Sequence, residues 1–299
     1  METISIVIIS YNRPVETIEV LENVLFEVDD YEGFKKEIIV INNGSSEDYT
    51  DVVSYIDKHN TDNQIIYVND GVNLGVSGGR NVGIKHSTGK YVVFIDDDAV
   101  FAEKDIIGKI DQRFTKDPSL GVIGFAVYNF YTNEPDHPVK KSKFMDQDEF
   151  YNNIFWGCGF VVPRSVFDEL GNFEAAFFYG MEEYDLAYRV MDSGRKIWFT
   201  KKISVLHKVS TAGRERNVVK HSRMFVNKCI LAHRYLPWYY VVTHFIMWSG
   251  FFLVKSRGSF ITYFKSIGRL RKAMKTNTKA KLKKETLSYI RSVAGRLTY

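Results

Sequence analysis

The chain has 299 residues, of which 45% are hydrophobic and 15% aromatic, enough apolar material for a full core and too much for a disordered polypeptide. Its net charge of +4 conceals an asymmetry: from Lys255 onward thirteen Lys and Arg residues face one acid, Glu285, leaving −8 on the 254 residues before them. Two distant cysteines, Cys158 and Cys229, exclude a zinc-ligand spacing or a disulfide framework and predict reduced core thiols in a cytosolic protein.

The run Ile4-Ser5-Ile6-Val7-Ile8-Ile9 reads directly as a buried strand, so no secretion signal is expected ahead of it. Similar β-branched runs at 4–10, 37–42, 64–68, 91–95 and 121–127 alternate with helical or turn-rich stretches. That alternation marks βαβ units and predicts an α/β fold with a mainly parallel sheet covered by helices. Pro14 opens a predicted helix with Val15, Ile18, Leu21, Val24 and Leu25 on one face. Farther on, Asn73-Leu74-Gly75-Val76-Ser77-Gly78-Gly79-Arg80-Asn81-Val82-Gly83 reads as a glycine-rich turn into a helix over 81–86. Its glycines, Gly79 among them, permit close backbone approach, and Arg80 is placed to meet a phosphate. The stretch matches neither a P-loop nor a dinucleotide fingerprint.

The strand at 91–95 ends in Asp96-Asp97-Asp98. In an open α/β sheet, ligands bind beyond the carboxyl ends of strands. Three adjacent carboxylates need a cation or hydrogen-bond donors to offset their repulsion, and a divalent ion serving phosphate chemistry meets that need. Alternation along an extended chain turns Asp96 and Asp98 to one side and Asp97 away. Taken alone, the triplet reads equally well as a solvated turn.

Residues 127–153, with Pro135, Asp136, His137, Pro138 and Lys140-Lys141-Ser142-Lys143, read as a long irregular connection. An apolar segment at 158–162 leads to a short helix through Val166, Phe167 and Leu170 that stops at Gly171. A second acidic cluster, Glu182-Glu183-Tyr184-Asp185, opens another predicted helix and, taken alone, reads better as the cap of that helix than as a site. Residues 203–206 resemble a strand ending at His207.

Between Arg234 and Lys255 there is no charged residue other than histidine, while Trp238, Tyr239, Tyr240 and Trp248 are residue types that favour a membrane interface. Pro237, Ser249 and Gly250 interrupt this segment, so it is expected to lie on a bilayer or pack on the body, with a span as the second reading. The basic tail beside this belt points to an anionic membrane surface, and no motif in the body points to nucleic acid.

Taken in order, Ile6-Val7-Ile8-Ile9-Ser10-Tyr11-Asn12-Arg13, Ile39-Val40-Ile41-Asn42-Asn43-Gly44-Ser45, the glycine-rich stretch, the aspartate run, Gly171-Asn172-Phe173-Glu174, the Glu182–Arg189 cluster and His207 resemble glycosyltransferase family 2. The resemblance covers roughly the first 210 residues. It implies a GT-A, Rossmann-like catalytic domain over 1–215, followed by a helical, membrane-associating extension over 216–299. It also implies an inverting transferase using Mn2+ or Mg2+ and a nucleoside-diphosphate-sugar, with a uridine donor favoured and thymidine-linked rhamnose as the alternative.

Carried over residue by residue, Ser10, Tyr11, Arg13, Asn42, Asn73, Gly79, Arg80 and Asp96 would bind the nucleotide-sugar, and Asp97 is counted with them. Asp98 and His207 would hold the metal, and Glu183 would be the catalytic base. Trp156, Glu182 and Asp185 would shape the acceptor site for a glycan or lipid-linked glycan. Asn42 stands where the family usually has Asp, and Glu183 likewise replaces an Asp. These two departures leave open a non-catalytic carbohydrate-binding or scaffold protein of the same fold. The resemblance and the tail together place the expected enzyme in the cytoplasm, peripherally at the inner face of the cell membrane, in cell-surface polysaccharide synthesis.

Overall fold

The structure, a computed structural model, describes every residue except 61, 63, 137–143, 145, 211, 213–215 and 299. His137, Pro138, the Lys140–Lys143 cluster and the expected boundary at 215 therefore lie outside the described residues. Among the described residues, nine strands form one sheet: β1 (Glu2–Ser10), β2 (Phe34–Asn42), β3 (Ile65–Asn69), β4 (Tyr91–Asp96), β5 (Ala99–Phe101), β6 (Leu120–Asn129), β7 (Glu149–Asn152), β8 (Gly159–Pro163) and β9 (Lys196–His207). Their order is β3-β2-β1-β4-β8-β6-β9-β5, with β7 also paired to β9. Strands β3, β2, β1 and β4 run parallel, as β6 and β9 do; β8 joins these two groups by antiparallel pairing.

Alternation along the strands divides the core in two. Ile4, Ile6 and Ile8 of β1 pack with helices α1 (Pro14–Glu22), α2 (Thr50–His59) and α4 (Ile106–Lys116) on one face. Val7 and its neighbours Ile39, Val92 and Phe94 pack on the other face. That second face meets α3 (Gly75–His86), α5 (Arg164–Leu170), α6 (Glu182–Asp192) and α7 (Asn217–Tyr235). Covering both faces explains why these strands read as continuous apolar runs. Phe225, Cys229 and Tyr235 of α7 share this cluster with Leu186 of α6. So do Phe252 of α8 (Trp238–Lys255), Leu270 of α9 (Phe260–Thr276) and Ile290 of α10 (Lys284–Ser292), so the helices after 216 complete the same core.

Three local expectations change. Helix α3 begins at Gly75 rather than at 81, with the Asn73 side chain accepting the Gly75 N–H at 2.8 Å. Its glycines serve helix-to-sheet packing: a Cβ on Gly79 would lie 2.9 Å from Ile9 Cγ2, and one on Gly83 2.3 Å from Val7 Cγ1. In α1 the inward face is Thr17, Val20 and Leu21, while Val15 is exposed, because Thr17 sits under the helix bonded to Ser10. The stretch read as irregular contains β7, which pairs Phe150 with Phe199 on β9.

Because α3 approaches β1 at glycine distance, Gly83→Ala should cost about 2 kcal/mol by overpacking. A urea titration of the variant should show the midpoint fall with the slope unchanged.

Candidate active site

The carboxyl ends of β1, β2 and β4 meet at one edge, with Ser10 in register with Asn42 and Ile9 with Asp96. Asp96 ends β4, Asp97 and Asp98 make the turn, and β5 starts at Ala99. Antiparallel pairing of β5 with β9 sets Ala99 opposite His207. This brings His207 Nε2 to 3.3 Å from Asp98 Oδ1, while His207 Nδ1 faces Asp136 Oδ2 at 3.2 Å. Arg13 bridges the run, 2.6 Å from Asp97 and 3.1 Å from Asp98. The Tyr11 N–H donates to Asp97 and the Ser210 N–H to Asp98, each at 3.0 Å.

The electrostatics separate the three aspartates. Burial pushes Asp97 up to about 7 against the attraction of Arg13, with Asp98 adding repulsion. Asp96 is also raised, by burial and by Asp98, although Arg80 opposes this. Burial would raise Asp98 as well, but the His207 hydrogen bond and Arg13 outweigh it and hold this carboxyl below the usual range. His207, in turn, is held above its ordinary value by Asp98 and Asp96 despite burial.

These residues fit a divalent cation. Two donors on one six-coordinate ion at bond lengths near 2.1 Å lie roughly 3 Å apart, close to the observed Asp98–His207 separation of 3.3 Å. Ligand atoms of Asp96, Cys158 and His207 also lie within 4.8 Å of one another. Carboxylates with an imidazole suit Mn2+ at least as well as Mg2+, and the buried thiol, raised well above its ordinary value by burial and Asp96, stays protonated beside them.

Across the site, α6 starts at Glu182 just after Met181, whose left-handed backbone (φ 80°) turns Glu182 and Glu183 toward the sheet edge. Buried Arg80 lies 3.4 Å from Glu182, 3.2 Å from Glu183 and 2.9 Å from the Gly157 carbonyl, with its guanidinium over Phe160 and Phe173. A Cβ on Gly157 would fall 2.2 Å from Glu183 Oε1 and 2.6 Å from an Arg80 nitrogen, so a side chain here would displace the ends of this ion pair. Next to Gly157, Trp156 is 38% exposed and open as a ring platform.

Several predicted ligands face inward. The Ser10 hydroxyl is buried between Thr17 and Tyr49. The Asn42 amide binds Tyr67 and the Ser45 N–H, because the β2 turn folds back on itself. Asn73 caps α3, and Gly79 lies inside that helix against the sheet. Arg80 holds the Glu182–Glu183 pair rather than standing free for a phosphate, since a helix starting at Gly75 carries it under the sheet edge. Glu182 is buried, raised by burial and by Glu183, and its Oε2 has no hydrogen-bond partner among the described residues. Asp185, expected at the acceptor, is buried in a structural network with Arg189, Arg234 and Tyr235. Tyr11, Asp96, Trp156 and Glu183 retain partial or full exposure at the edge. Sequence reasoning missed Cys158 and Asp136 as neighbours of the aspartate run and His207; the signal for Cys158 is its place just before β8, whose Gly159 pairs with Ile95.

An aspartate run at the end of a parallel sheet, with a histidine across from it and a carboxylate on the neighbouring helix, is the arrangement of a GT-A nucleotide-sugar transferase. The chain belongs to glycosyl transferase family 2, whose profile matches residues 5–171. Over 98 residues it is 41% identical to an uncharacterized glycosyltransferase of Rickettsia bellii, covering 33% of this chain but only 13% of that protein. It is 24% identical over 238 residues to the UDP-Glc:alpha-D-GlcNAc-diphosphoundecaprenol beta-1,3-glucosyltransferase WfaP of Escherichia coli, covering 78% of this chain and 89% of that one. The fold is similar to that of GalNAc-T7 solved with UDP, GalNAc and Mn2+, with a TM-score of 0.66, 15% identity, and coverage of 98% of this chain and 57% of that one.

Removing the Arg80 guanidinium leaves two carboxylates without their shared cation. Arg80→Met should therefore lower stability by about 3 kcal/mol, read as a drop in the thermal midpoint. That drop should shrink in the Arg80→Met/Glu182→Gln double variant.

Proposed function

We propose that the protein is an inverting, metal-dependent glycosyltransferase. It moves a sugar from a nucleoside-diphosphate-sugar, UDP-linked, to a hydroxyl of a glycan or lipid-linked glycan in cell-surface polysaccharide synthesis. The observation that carries this reading is the placement of Glu183. Its carboxylate is fixed by Arg80 at 3.2 Å beside Gly157, apart from the aspartate run and on the side of exposed Trp156. One edge thus offers a proton acceptor and, separately, a charge-holding site for the leaving group.

In the single displacement, the acceptor oxygen attacks the anomeric carbon as its proton passes to Glu183, and the bond from that carbon to the diphosphate oxygen breaks. Nucleoside diphosphate departs with the electron pair, and the configuration inverts. Trp156 stacks the acceptor ring, Tyr11 and Asp96 meet the nucleoside side, and Arg80 keeps Glu183 aimed. Asp98 and His207, with Asp96 beside them, would hold Mn2+ or Mg2+, which when bound supplies positive charge against the departing diphosphate. The name of WfaP, with its UDP-glucose donor and diphosphoundecaprenol-linked acceptor, supports the same classes of substrate here. This chemistry belongs in the cytoplasm, with the enzyme peripheral at the inner face of the membrane.

A thermal-shift panel of UDP-, GDP- and dTDP-sugars, with and without Mn2+, tests the donor. A UDP-sugar should give the largest Mn2+-dependent shift. Asp98→Ala should abolish that shift, while Glu183→Gln should keep it and lose transfer by at least about a hundredfold. No shift and no turnover with any donor would return the chain to a carbohydrate-binding or scaffold role.

A further inference from the structure

Half of the large apolar side chains exposed among the described residues fall within 238–264, on α8 and the start of α9. Trp238, Val242 and Ile246 recur every fourth residue along one face of α8. Its opposite face, with His244 and Phe252, is buried against the core. Past the turn at 256–259, α9 opens with further exposed apolar side chains, Phe260, Ile261 and Phe264, with Trp238 76% and Ile261 75% exposed. Such a concentration of exposed apolar side chains on two successive helices of a folded protein marks a docking surface.

Charge identifies the occupant. From 216 to 284 the sequence contains sixteen Lys and Arg residues and no Asp or Glu. Lys255, Arg257 and Lys265, all exposed, lie beside the apolar face, and Arg271 and Lys272 extend the basic surface along α9. A protein partner would need an acidic rim around an apolar centre, whereas an anionic bilayer supplies both layers at once. None of the described helices is long and apolar enough to cross a membrane. The inner side of α8 is already committed to the core, so its free side is available for lying flat.

We infer that the α8–α9 face docks this protein onto an anionic lipid bilayer, with the apolar side chains entering the headgroup boundary and the basic residues meeting lipid phosphates. Resting on the transferase reading, this surface presents the site to a lipid-linked acceptor. The docked face and Glu183 are mechanically joined. Arg234 and Tyr235 at the end of α7 bind Asp185 at 2.9 and 2.8 Å, two residues after Glu183 on α6.

The test is co-sedimentation of the full chain with phosphatidylglycerol–phosphatidylcholine vesicles and with phosphatidylcholine alone, alongside quenching of tryptophan fluorescence by brominated acyl chains. Binding should require phosphatidylglycerol, and quenching should show insertion. Ile246→Glu/Ile261→Glu should weaken vesicle binding at least tenfold without changing the Mn2+-dependent UDP shift, which also shows that the variant is folded. Lys255→Glu/Lys265→Glu should lose the preference for phosphatidylglycerol. Two outcomes overturn the inference: wild-type protein that ignores anionic vesicles, or a dimer in sedimentation velocity that the Ile246/Ile261 variant dissociates. Vesicle binding by a protein that turns over no donor would leave the docking surface standing and remove the transferase reading instead.

Discussion

The buried Arg80 guanidinium is the interaction on which the site depends. It answers Glu182 and Glu183 together, accepts the ring faces of Phe160 and Phe173, and reaches the Gly157 carbonyl at the head of β8. A cation so enclosed is stable only with its anions in place, and the cation in turn holds those anions at the sheet edge. The glycines of α3 make the pairing possible, since a helix with side chains at 79 and 83 would stand farther from β1 and withdraw Arg80 from α6. Backbone spacing at one position thus fixes the position of a carboxylate some hundred residues later.

A second cation divides the charge. Arg13 draws Asp97 and Asp98 toward β1, while Arg80 draws the glutamates toward α3, so the acidic clusters face each other without merging. Asp96 lies between them, feeling both guanidinium groups as well as Asp98 and His207. This division suits a displacement in which negative charge leaves on one side and a proton is taken up on the other.

Much of this was legible in the sequence wherever local pattern decides structure. The five β-branched runs, the aspartates at a strand end, the helix after Pro163 and the acidic start of α6 follow from periodicity and capping chemistry. What the sequence obscured depends on tertiary partners. Glycine density in 75–83 reads as a loop because glycine is a poor helix former, and only contact with Ile9 and Val7 makes helix the better solution. The family resemblance makes Ser10 and Asn42 look like ligands; Thr17 on the next helix, and Tyr49 and Tyr67 farther along the chain, turn them in. Asp185 looks like an acceptor contact until Arg234, 49 residues later, is seen to claim it.

That last pairing makes the C-terminal helices more than an accessory. Asp185 holds Arg189 on its own helix and Arg234 and Tyr235 on α7, while Arg234 also binds Glu174 just before the short helical turn at Ala175–Phe177. Asp185 therefore ties α7, on which α8 and α9 pack, to the helix that carries Glu183.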